Sequence, residues 1–97
     1  MNLGIPSKFH LAGHTINVRI VPPSKWKHGK NAVGMFLPDR YRIDIISSTH
    51  GTNRQQVFAH ELVHALLTIA GHDKLSSDEE LVDRLGHLLQ QALTSFE

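Results

Sequence analysis

The chain has 97 residues, with ten Lys and Arg against nine Asp and Glu, eight His and no Cys. The length suits one domain, residues 1–97, near the lower limit for unaided folding, and the lack of cysteine excludes disulfides, thiolate zinc sites, iron–sulfur clusters and a cysteine nucleophile. A net charge of +1 gives no global field toward nucleic acid or an anionic membrane, no apolar run approaches the ~18 residues of a membrane span, and the start, Met1 to Lys8, lacks the layout of a signal peptide. The expectation is a cytoplasmic protein with no membrane contact.

In chain order, residues 9–20 alternate loosely around Ala12-Gly13, which predicts a hairpin between strands 7–11 and 14–21. In the second arm Ile16, Val18 and Ile20 share one face. Pro22-Pro23 ends that strand, because neither proline can donate to a ladder. Residues 24–30 read as a polar loop, and 32–37 as a short apolar strand. Pro38-Asp39-Arg40 makes a turn, after which Tyr41, Ile43 and Ile45 alternate with Arg42 and Asp44. Four strands predict a sheet, antiparallel or mixed, with one buried face.

Two helices follow. Thr52-Asn53-Arg54-Gln55 is a capping box that starts a helix near Asn53, running to Ala70 with Gly71 as its left-handed terminator. After a connector at 72–76, Ser77-Asp78-Glu79-Glu80 is a second box, opening a helix to about Ser95 with Val82, Leu85, Leu89, Ala92 and Phe96 on one stripe. Strands followed by helices indicate an α+β fold.

The first helix contains His60-Glu61-Leu62-Val63-His64. Residues four apart share a helix face, so both imidazoles reach one ion, and Glu61 stands ready to take a proton from a coordinated water. Between Gln55 and His72 the only formally charged residue is Glu61, set among Val57, Phe58, Leu62, Val63, Leu66, Leu67 and Ile69. A carboxylate there costs several kcal/mol unless a nearby cation compensates it. A catalytic zinc takes three protein ligands. Glu79 lies three residues before Val82, in phase with the apolar stripe, whereas Glu80 is the natural partner of Ser77 in the capping box. Glu79 is the expected third ligand; a cap at Ser76 would pass the role to Glu80 or His72. Asp83, one turn after Glu79, is placed to accept the free ring N–H of a ligating histidine, or else to pair with His87.

His60-Glu61-x-x-His64 followed by Glu79-x-x-Val82-Asp83-x-Leu85 resembles the Glu-zincin pattern, and in detail is similar to the ImmA/IrrE-like metallopeptidases, many of them phage-encoded. The likeness covers roughly residues 32–97. It implies a minimal zincin fold and one zinc ion per chain on His60, His64 and Glu79. Glu61 would be the general base for hydrolysis of a protein or peptide substrate, in the host cytoplasm where the gene is phage-borne. Some members of that family act on transcriptional repressors. Two departures stand out: Asp83 occupies the family's usual Asn position, and an added substrate-binding subdomain is not expected within these residues, which leaves the target unspecified.

Alternatives from other classes are a non-catalytic zinc-stapled interaction module and a hydrolase of a non-peptide amide. Tyr41 and the histidines at 10, 14, 50, 72 and 87 are unranked candidates for stabilising an oxyanion. An extended substrate could add to the 32–37 strand, with Gly34 permitting close approach. Lys25-Trp26-Lys27-His28-Gly29-Lys30 is the only basic cluster and reads as a solvated loop, so no nucleic-acid partner is expected.

Overall fold

The computed structural model describes residues 4–97, so residues 1–3, part of the stretch read above for a leader, lie outside the described residues. Four strands, β1 (Lys8–Leu11), β2 (His14–Val21), β3 (Gly34–Leu37) and β4 (Arg42–Ile46), are followed by three helices, α1 (Gly51–Ile69), α2 (Asp73–Ser76) and α3 (Glu79–Thr94). The fold is α+β, as expected. Ala12 and Gly13 both adopt positive φ, 50° and 80°, the twisted two-residue turn that suits a β1–β2 hairpin.

The sheet is mixed rather than wholly antiparallel. Its order is β1-β2-β4-β3, with β4 running parallel to β2 and antiparallel to β3. Pro22-Pro23 and the long loop after them carry the chain past the position beside β2, so β3 becomes an edge and β4 fills the gap. Tyr41 is not the first residue of β4. It turns left-handed (φ 48°) after a 3-10 turn at Pro38–Arg40, and its ring stacks on His14 with centroids 4.4 Å apart.

One face of the sheet is buried by α1. Ile16, Ile43 and Ile45 are fully buried against Val57, Phe58 and Ala65, and Phe9 meets Phe58 edge-on at 5.9 Å. Burial of each such isoleucine contributes about 2 kcal/mol. Among the described residues no helix is long and apolar enough to cross a membrane.

Helix α1 begins at Gly51, earlier than the capping box predicted, with His50 as N-cap and no side-chain cap bond. Arg54 fixes the chain there, through bonds to the Ser47 carbonyl and the Thr49 hydroxyl. The cap of α3 is Asp78, whose carboxylate accepts the Leu81 N–H, while Ser77 donates to the Lys74 carbonyl. The buried stripe of α3 also departs from the expected one. Val82 and Gly86 are its buried residues, whereas Leu85 and Phe96 are 37% and 53% exposed. Gly86 explains the shift. A Cβ there would sit 3.1 Å from the His60 Cα and 3.2 Å from its backbone nitrogen, so the bare glycine lets α3 lie against the backbone of α1.

Gly86→Ala should leave the melting temperature nearly unchanged, because about 1 kcal/mol of helix propensity offsets a few tenths of an ångström of displacement. Gly86→Leu should force the helices apart and cost about 2 kcal/mol, or roughly 8–16 °C for a domain of this size. Calorimetry of the two variants checks this; a parental melt for Gly86→Leu would contradict it.

Candidate metal centre

His60 and His64 lie one turn apart on α1 and face the first turn of α3. The Nε2 atom of His60 is 3.1 Å from Glu79 Oε2, and that of His64 is 3.1 Å from Glu79 Oε1. Ligand atoms about 2.0–2.1 Å from a tetrahedral ion stand about 3.3 Å apart, so each imidazole stands at about that spacing from one oxygen of the Glu79 carboxylate. One ligand atom each from His60, His64 and Glu79 lies within 4.8 Å of the others, and the group could hold a metal ion. Two neutral imidazoles and a carboxylate suit a borderline divalent cation.

The other ring nitrogens are also engaged. His60 Nδ1 lies 3.4 Å from Asp83 Oδ1, a carboxylate placed behind the ring where it would accept the Nδ1–H once Nε2 ligates an ion. His64 Nδ1 lies 3.0 Å from Ser76 Oγ, at the end of α2. That hydroxyl also accepts from Thr68 Oγ1 and donates to the His64 carbonyl, which leaves it an acceptor for the His64 Nδ1–H. Burial holds the His64 imidazole below its ordinary pKa against the opposing pull of Glu79, which favours the neutral ligand form.

Glu61 faces the sheet side of the same groove. The residue is 7% exposed, and its Oε1 accepts the backbone N–H of Phe36 at 2.9 Å. That N–H points away from β4, so the edge strand offers it to the helix. Gly34 makes the approach possible: a Cβ there would lie 2.6 Å from Val57 Cγ1 and 3.0 Å from Glu61 Cγ. The close contact expected of Gly34 is thus with the chain's own α1. Burial pushes the Glu61 carboxyl up from 4.5 to about 7, aided by the Glu79 charge and opposed by His60, the Phe36 N–H and His28. A groove of about 520 Å³ runs between β3 and α1 past Gln56, Glu61 and His60 to Glu79.

All five residues expected at the site come together here. Glu80, the alternative ligand, instead pairs with Arg84 at 3.1 Å on the exposed side of α3. The capping-box argument for Glu79 over Glu80 does not hold as stated, since Asp78 is the cap; the phase of the helix alone separates the two. Asp83 meets both expected partners, with His87 Nε2 at 3.6 Å. Of the oxyanion candidates, Tyr41 is stacked on His14, His10 pairs with Thr15, and His50 precedes α1. Sequence reasoning missed Ser76, Phe36 and Gly86. Ser76 carries only a capping signal in the sequence, and a backbone donor or a missing side chain leaves no chemical signature. Compared with known protein families, curated proteins and solved structures, the chain matches none.

Because the folded chain holds the Glu61 proton more tightly than the unfolded chain, stability falls as pH rises from about 4.5 to about 7 and stays lower above. In metal-free protein, Glu61→Gln should match the parent near pH 4.5 and exceed it by about 2–3 kcal/mol at pH 8. Denaturant melts in chelator across that range check this; a gap that does not change with pH would contradict it.

Proposed function

We propose that the protein is a zinc-dependent peptidase of the kind its motifs resemble, hydrolysing peptide bonds in the cytoplasm with His60, His64 and Glu79 as metal ligands and Glu61 as general base. The observation that carries this reading is the placement of Glu61: a buried carboxyl with a pKa near neutrality, beside the two imidazoles and at the wall of an open groove. A purely structural metal site has no use for such a group, whereas a hydrolase requires it.

Bound zinc supplies a Lewis acid for the scissile carbonyl and lowers the pKa of water towards 7. The chain's own residues do the rest. Glu61 takes a proton from the attacking water on Oε2, the oxygen not engaged by Phe36, and delivers it to the departing amine. Asp83 and Ser76 fix the tautomers of His60 and His64 throughout. The substrate, an extended peptide, lies in the groove between α1 and the 31–35 stretch that leads into the edge strand β3, beside Glu61.

Purified protein should carry one zinc per chain by metal analysis, and Glu79→Ala should lower zinc affinity at least tenfold. Glu61→Gln should keep zinc and fold but cut hydrolysis of a mixed peptide library, read by mass spectrometry, by about 10²-fold or more. Equal turnover by Glu61→Gln and the parent would sink the mechanism. Zinc binding with no cleavage by either would favour the stapled module.

A further inference from the structure

The sheet face turned away from α1 concentrates charge of one sign. The first 54 residues hold eight of the ten Lys and Arg but two of the nine Asp and Glu. A chain of net charge +1 is therefore divided into a positive sheet half and a negative helical half. Strand register sets Lys8, Asn17 and Arg42 in one row across this face and Arg19 and Asp44 in the next. The loop after β2 folds back over the face and brings Lys25 and Lys27 to the same groove as Arg19, Arg42 and Arg40, a trough of about 730 Å³ to which Val21, Pro22 and Leu37 add apolar surface.

At its centre Asp44 is 2% exposed. Its Oδ1 accepts from Arg42 Nε at 2.9 Å and Arg19 Nε at 3.3 Å, and its Oδ2 meets His28 Nε2 at 2.9 Å. Burial raises the Asp44 pKa, but His28, Arg42 and Arg19 more than offset that and hold it below 3.8, so it stays ionised at neutral pH. One carboxylate organises this cluster without neutralising it, because five cations line the trough and Asp44 is its one acidic residue. Cations packed within a Debye length of about 8–10 Å repel one another, and the acidic side chains of α2 and α3 lie beyond α1. The face is complementary to a polyanion.

We propose that this groove binds single-stranded nucleic acid, at a site separate from the metal centre. Arg42 is held by both Nε and Nη2 on Asp44, so the exposed Arg40 and the half-exposed Arg19 are the guanidinium groups open to phosphate oxygens, and Lys25 and Lys27 add point charges. The apolar surface that Ile20, Val21, Pro22 and Leu37 give the trough suits the flat faces of bases. A run of acidic side chains would offer charge without that flat surface. Trp26 lies behind the trough wall: its Nε1–H donates to the Gly29 carbonyl at 3.2 Å and its ring meets His28, a lining residue, edge-on at 4.8 Å, which steadies the loop that carries Lys25 and Lys27. The Lys25–Lys30 stretch read alone is a solvated loop; the fold adds three arginines from distant positions.

The test is fluorescence anisotropy with a labelled single-stranded DNA 20-mer and the full zinc-loaded chain, between 50 and 200 mM salt. Saturable binding is expected, with log affinity falling against log salt at a slope of about −2 to −3, for about four neutralised phosphates. Lys25→Gln/Lys27→Gln should weaken binding at least tenfold with zinc content and melting temperature unchanged. Lys74→Gln/Arg84→Gln, the same charge change on the helical side, should leave binding within twofold. No saturable binding at 50 mM salt would overturn the proposal, as would equal loss in both double variants or equally tight binding of a polyglutamate peptide.

Discussion

Gly86 of α3 rests on the backbone of His60, and the geometry of the candidate metal centre depends on that contact. With no side chain between them the two helices approach closely enough for Glu79, two turns earlier, to stand 3.1 Å from both histidines, and for Asp83, one turn earlier, to reach the back of the His60 ring. A larger residue would move every acidic group of α3 together, because they ride on one rigid element. Close packing and ligand spacing are thus one constraint.

Helix α1 carries a second demand on its other side. Val57, Phe58 and Ala65 fill the core under the sheet, while Glu61 is drawn to the edge strand by the Phe36 N–H. The carboxyl is too deeply placed to ionise at its ordinary pH, and the hydrogen bond from Phe36 recovers only part of what burial costs. A divalent cation beside it would relieve the remainder. Metal binding would also stabilise a chain of this size, by about 2.7 kcal/mol at a hundredfold excess over the dissociation constant. The same ion would then serve both chemistry and fold.

Much of this was legible in the sequence because periodicity is a local property. The i, i+4 spacing places His60 and His64 on one face whatever surrounds them, and the phase of Glu79 with Val82 aims it at α1. The hairpin at Ala12-Gly13 is equally local. What was hidden depended on contacts between distant segments. Pairing of β2 with β4 requires knowing where the 22–33 loop goes, and polar residues do not encode its path. The α3 cap moved from Ser77 to Asp78 because the short α2 turn uses the Ser77 hydroxyl for itself. The stripe shifted from Leu85 and Phe96 to Gly86 because a glycine scores as nothing on an apolar face yet permits the closest contact. Asp44 reads as an ordinary solvent-side strand residue until His28 and two arginines fold over it.

The central claim is that two imidazoles and one carboxylate, brought together by the α1–α3 contact, bind a single metal ion. X-ray absorption at the zinc edge on the zinc-loaded chain tests it most directly. A shell of light donors near 2.0–2.1 Å is expected, with the multiple-scattering signature of two imidazole rings, reduced by one oxygen donor in Glu79→Ala. A shell of six oxygens without imidazole scattering, or one unchanged by Glu79→Ala, would contradict it.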